Sequence, residues 1–158
     1  MGRVMAQWRH ERPDLDVSPQ GVIGRVHRVA AALTVELVET YGRFGLGEGE
    51  FDVLATLRRQ GSPYELTPSE LATQTMVSSG AITKRVDRCI GSGWAERRGS
   101  SRDARSRLVR LTPSGLELID RAFAAHIENE HRLLSSMSDV DREALAGVLS
   151  RWASELGV

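Results

Sequence analysis

The 158-residue sequence predicts a mostly α-helical fold carrying one small β-hairpin, and three observations carry that prediction. Apolar residues recur every three or four positions through most of the chain, the period of one helix face. Several of these segments open on a Ser or Thr followed by Pro, or by Glu three residues later, which is the signature of a capped helix N-terminus. One stretch breaks the pattern: two short strand-like runs flank the polar, turn-rich segment Gly99–Ser106.

The elements follow in order. A short polar piece containing Trp8 ends near Pro13. Ser18-Pro19 reads as an N-cap and first helical position, and Val22, Val26, Val29, Leu33 and Leu37 form one stripe of a long helix that ends near Gly42. Gly45, Gly47 and Gly49 read as a loop, and a second helix starting near Glu48 carries Phe51, Leu54, Ala55 and Leu57. Gly61-Ser62-Pro63 stops it. Thr67-Pro68-Ser69-Glu70 is a capping box ahead of a short helix over 71–75. Met76-Val77 is a tight turn, and Ser78 caps a helix running from Ser79 to Ile90, closed by Gly91-Ser92-Gly93. Residues 94–98 and 107–111 suit the two strands of a hairpin with a long basic tip. Thr112-Pro113 caps a long helix with its stripe at Leu116, Ile119, Phe123, Ile127, Leu134 and Met137. Ser138 caps a last helix carrying Leu145, Val148, Leu149, Trp152 and Leu156.

Composition narrows the function. The length suits one domain, and 41% hydrophobic residues are enough for a core. No apolar run approaches the roughly 18 residues of a membrane helix, and the polar N-terminus carries no signal-peptide core. The single cysteine, Cys89, excludes an intramolecular disulfide and fits a cytoplasmic protein. No phosphate loop, nucleophile elbow, zinc-protease helix or dinucleotide fingerprint is present, which argues against an enzyme and against a cofactor. His10, His27, His126 and His131 form no spaced metal cluster.

Charge is balanced overall, at 21 basic and 21 acidic residues, but it is segregated. Between Ser78 and Arg110 nine basic residues face three acidic ones, so this segment carries +6 and the remainder −6. A local basic block on a neutral chain is the footprint of a DNA-contacting module. The block coincides with the order short helix, tight turn, capped helix, basic hairpin, which is a winged helix-turn-helix. On the second helix of that pair Ile82, Val86, Cys89 and Ile90 form the core-facing stripe. Ser79, Gly80, Thr83, Lys84, Asp87 and Arg88 face outward: small and hydroxyl residues that permit close approach to a major groove, then cations for guanine or phosphate. Ser78, Ser79, Thr83, Lys84 and Arg88 are the candidate contacts on this helix. Arg102 and Arg105 on the hairpin tip have the reach to enter a minor groove.

At these residues the sequence resembles the MarR family of regulators over nearly the whole chain. The most specific stretch is Asp103-Ala104-Arg105-Ser106-Arg107-Leu108-Val109-Arg110-Leu111-Thr112-Pro113-Ser114-Gly115, which is similar to the family's wing signature of Asp-x-Arg, a strand and Leu-Thr-x-x-Gly. Cys89 and Trp94 stand where the family more often has leucine, and both changes stay apolar. The resemblance implies a single domain in which residues 1–45 and 112–158 dimerise and residues 46–111 form the DNA-binding lobe. It implies a homodimer on a palindromic operator, commonly a repressor released by a small ligand.

Trp8, with Asp52 and Arg59 on the second helix, further resembles the urate-responsive, PecS-like branch of that family. The resemblance implies a tryptophan packed on a flat purine, with charged residues at its polar edge. Arg25 on the first long helix is a looser candidate for the same effector, and a planar aromatic anion suits a tryptophan face beside a guanidinium fork. Two alternatives stay open: a redox-responsive regulator working through Cys89, and an interaction module with a degenerate winged helix that binds no DNA.

Overall fold

The computed structural model describes residues 2–99 and 107–157, and the chain divides into two compact units between Glu48 and Gly49. Seven helices and three strands are present among the described residues: α1 (Gly2–Glu11), α2 (Gln20–Gly42), α3 (Glu48–Arg59), β1 (Glu65–Leu66), α4 (Pro68–Gln74), α5 (Ser79–Gly91), β2 (Ala95–Gly99), β3 (Arg107–Leu111), α6 (Pro113–Leu133) and α7 (Asp139–Leu156). No helix among them is long and apolar enough to cross a membrane.

In the first unit the N-terminal piece is a helix, where the sequence reading gave only a polar segment. Its few apolar side chains left a weak periodic signal, but Met5 packs on α2 at Gly21, where an added Cβ would lie 3.4 Å from the Met5 methyl. The start of α2 also differs from expectation. Ser18 does not cap it; the Asp16 carboxylate instead accepts both the Ser18 backbone N–H and its hydroxyl, each at 2.9 Å. An aspartate two residues upstream competes for the donors that an N-cap serine would otherwise leave open. The outer surface of α2 leaves Val22, Ile23, Val29, Leu33, Val35 and Val38 exposed.

The core of the second unit gathers one face of every element from α3 to α6. Leu54, Leu57, Leu71, Ile82, Val86, Val109 and Ile119 are essentially inaccessible to solvent. The sheet order is β1-β3-β2, antiparallel throughout. The β2–β3 pairing joins Ala95 to Leu111 and Gly99 to Arg107, as the hairpin reading required. The short edge strand β1 was not foreseen, because two residues are too few to show alternation; Glu65 and Leu66 pair with Arg110 and Val109.

The Leu-Thr-x-x-Gly segment locks the sheet to α6. Thr112 donates its N–H to the Trp94 carbonyl at 3.1 Å and its hydroxyl to the Gly93 carbonyl at 2.8 Å. Ser114 donates to the same Gly93 carbonyl at 3.1 Å, and the Thr112 hydroxyl accepts the Gly115 N–H. Gly115 is required by this approach: a Cβ there would sit 1.9 Å from the Trp94 carbonyl oxygen. At its other end α6 stops at Leu133, so Leu134 and Met137 lie beyond the helix rather than in its stripe. The reason is Ser138, whose extended backbone caps α7 and whose hydroxyl accepts the Asp141 N–H at 3.2 Å. On α7, Val140, Leu145, Val148, Leu149 and Leu156 are exposed.

Candidate nucleic-acid interface

The helix pair α4–α5 is built as its sequence dictates. The capping box of α4 is complete: Glu70 N–H donates to the Thr67 hydroxyl at 3.2 Å, and Thr67 N–H donates back to the Glu70 carboxylate at 2.8 Å. These hydrogen bonds hold the Glu70 carboxyl below its usual range, with the Thr67 backbone bond the largest cause. The turn to α5 passes through Met76, whose φ of +53° lies in the left-handed region. Ser78 then caps α5, its hydroxyl accepting the Ala81 N–H at 3.4 Å.

The two faces of α5 separate as expected. Ile82, Val86 and Cys89 are buried, while Ser78, Ser79, Gly80, Thr83, Lys84, Asp87 and Arg88 are exposed. Thr83 turns its hydroxyl back to the Ser79 carbonyl at 2.9 Å, which leaves its methyl and oxygen at the surface. Among the described residues Lys84 makes no recorded hydrogen bond or ion pair, so its ammonium stands ready for an anion.

Three ion pairs hold α5 in place. Arg85 donates to Asp52 on α3 at 2.8 Å, and Arg97 on β2 donates to Asp87 at 2.6 Å. The third joins Arg88 Nε to Glu50 Oε1, again on α3. Gly49, read from the sequence as a loop residue, lies inside α3 for a packing reason. A Cβ there would come within 2.8 Å of Arg85 Nε, so the glycine lets the arginine stem cross the helix. Glu50 escaped the sequence reading altogether; a carboxylate in the first turn of a helix looks like ordinary dipole compensation.

The wing strands project from this platform. The tip residues Arg102 and Arg105 lie outside the described residues. Cys89 is fully buried, and burial pushes its thiol up to about 12, with the Glu50 charge adding to the rise and Arg88 opposing it. A thiol held so far from its thiolate is a poor nucleophile, so the local chemistry favours a core role over redox sensing.

The effector candidates fall on three helices, with Asp52 and Arg59 sharing α3. Trp8 lies exposed on α1, and Arg25 on α2 donates to the Gly21 carbonyl of its own helix. Asp52 is paired with Arg85, and Arg59 donates to the Gln74 carbonyl at 3.2 Å and to its side-chain oxygen at 3.3 Å. Within the second unit a cavity of about 280 Å³ is lined by Ala55, Arg58, Arg59, Ile119, Asp120 and Phe123. Its basic wall is partly neutralised, since Arg58 donates to Asp120 at 2.6 Å. No group of three metal-ligating side chains is present among the described residues.

A capped helix pair with a tight turn, followed by an antiparallel hairpin and braced against a third helix, defines a winged helix-turn-helix protein. The model described as the MarR family matches residues 44–106. The HTH-type transcriptional regulator PecS of Dickeya dadantii (strain 3937) is 40% identical over 148 residues, spanning 94% of this chain and 89% of that protein. The chain belongs to the MarR family of transcriptional regulators, on its PecS-like branch, and is not an enzyme. Solved structures agree on the fold. AbsC, a MarR family regulator from Streptomyces coelicolor, superposes with a TM-score of 0.81 at 24% identity, covering 90% of this chain and 96% of that one. A mutant MarR from E. coli complexed with operator DNA gives 0.75 at 25% identity, covering 87% and 98%.

Proposed function

We propose that this protein is a sequence-specific, double-stranded-DNA-binding regulator that acts in the cytoplasm as a homodimeric repressor and is released from a palindromic operator by a small aromatic anion. One observation carries the DNA reading: α5 presents a solvent-facing N-terminal half of Ser79, Gly80, Thr83 and Lys84, while its opposite face is buried in the core. Such a helix can enter a major groove without unfolding anything. Ser78, Ser79, Thr83, Lys84 and Arg88 contact the groove and its phosphates, and Arg102 and Arg105 on the wing reach the adjacent minor groove. The operator-bound MarR structure supports the same use of this fold.

Residues 1–45 and 112–158 supply the dimer interface, and residues 46–111 are the DNA-binding lobe. The exposed apolar side chains on α2 and on α7 support that division, because aliphatic rows of this length are costly to leave in water. A two-fold dimer sets its recognition helices about one DNA turn, roughly 10 bp, apart. For the effector, Trp8 supplies a stacking face, and Arg25, Asp52 and Arg59 supply polar edges. Urate is the first molecule to try, on the strength of the PecS-like branch.

The test is binding of the purified protein to the intergenic DNA upstream of its own gene, with and without urate. Tight, salt-sensitive binding that urate releases is the expected result. Tight binding indifferent to urate discards that effector and keeps the regulator; binding no tighter than to random duplex overturns the operator assignment.

A further inference from the structure

We propose that Glu50 is a positioning residue for DNA recognition, holding the Arg88 guanidinium by its Nε so that the rest of the fork is presented to the duplex. The inference rests on the DNA-binding reading above and adds a residue that contacts no DNA itself.

The asymmetry of the pair carries the argument. The Glu50 side chain keeps 11% of its exposure, whereas that of Arg88 keeps 59%. The carboxylate is therefore the fixed partner, set in the first turn of α3, and the arginine is the solvent-facing one. Arg88 offers five N–H donors in a rigid plane. Glu50 takes the one on Nε, and no other partner of Arg88 is recorded among the described residues. The two terminal nitrogens, with four N–H groups between them, remain for a guanine edge or a phosphate. A flexible arginine loses rotamer freedom when it docks; one already anchored through Nε loses less, and its plane is fixed before DNA arrives. The neighbouring contacts make the anchor stiff. One turn back on α5, Arg85 crosses α3 at Gly49 and pairs with Asp52. Arg88 thus sits on a helix whose height and rotation against α3 are already set, and the Glu50 charge is close enough to Cys89 to raise its thiol.

The proposal makes a prediction opposite in sign to simple electrostatics. Glu50→Gln removes a negative charge beside the basic face, so an unspecific charge effect would tighten binding to every duplex. A positioning role predicts the reverse on the specific site. Dissociation constants are measured for the wild type, Glu50→Gln, Arg88→Ala and the double variant, on a duplex selected in vitro and on random DNA, with melting temperatures alongside. Glu50→Gln is expected to weaken binding to the selected duplex about tenfold and to leave random DNA within about twofold. In the Arg88→Ala background the same substitution should have no further effect on the selected duplex. Unchanged or tighter binding of Glu50→Gln to the selected duplex overturns the proposal. So does an equal loss on both DNAs with a lowered melting temperature, since that marks a purely structural pair. A wild-type protein that binds neither duplex overturns the DNA-binding reading and this inference with it, whereas specific binding that Glu50→Gln leaves intact overturns this inference alone.

Discussion

Gly115→Ala tests the joint that fixes the sheet to α6. The added methyl would lie 1.9 Å from the Trp94 carbonyl oxygen, 2.8 Å from its carbon and 3.1 Å from Trp94 Cα. All three atoms are backbone, so no side chain can swing away, and either β2 or the start of α6 must move. Overpacking of this kind costs about 1–3 kcal/mol. The same displacement stretches the Thr112 bonds to Trp94 and Gly93 and the Ser114 bond to Gly93, at about 1 kcal/mol for each one lost. Against this, alanine gains at most about 1 kcal/mol of helix propensity. The net is a loss of about 3 kcal/mol, equivalent to a melting temperature lower by roughly 6–12 °C for a chain of this size. Thermal unfolding followed by far-UV circular dichroism reads it directly. Gly80→Ala is the control: it lies in a helix with nothing within 4 Å of the new methyl, so it should hold or raise the melting temperature. An unchanged or raised melting temperature for Gly115→Ala would refute the argument that this glycine exists for the contact with Trp94.

Further outcomes follow from the same geometry. Thr67→Ala removes the hydroxyl arm of the α4 capping box, leaving the backbone N–H of residue 67 on Glu70, and should cost about 1 kcal/mol by chemical denaturation. Because the Glu70 carboxyl is held below its usual range, the stability it contributes is present above the ordinary glutamate range and fades as the pH falls through the lowered value; Glu70→Gln should flatten that acid limb, whereas Thr67→Ala, which keeps the backbone bond, should only weaken it. Cys89, with its thiol pushed up to about 12, should resist iodoacetamide in the folded protein at pH 8 and react in denaturant; rapid labelling of the native state would restore the redox reading. Lys84→Ala should cost about 1–3 kcal/mol more on the operator than on random DNA, whereas Arg105→Ala should weaken all duplexes alike and reduce the salt slope by about one unit.

The architecture was legible where local chemistry is decisive. Thr67-Pro68-Ser69-Glu70, Ser78, Thr112-Pro113 and Ser138 each mark a helix start that the structure keeps, because a cap needs only three or four neighbouring residues. The hairpin was legible from two short strand-like runs flanking a polar, turn-rich segment, and the observed pairing agrees with their bounds within one residue. What escaped depends on contacts distant in sequence. β1 exists only because β3 offers it a ladder, and α1 is supported by Met5 against Gly21. Gly49 reads as a loop glycine until Arg85 is seen crossing it. Glu50 and Asp52 reveal themselves as partners of the recognition helix only through pairs 38 and 33 residues apart. The outward face of α5 was readable by periodicity alone; the acidic residues that hold its arginines in place were not.

The most direct test of the account is the ratio of dissociation constants for the in vitro selected duplex and random DNA, measured at one fixed physiological salt concentration. A DNA-reading α5 predicts that the selected duplex binds at least about a thousandfold tighter. Equal affinity for both would contradict it and leave a basic surface without sequence recognition.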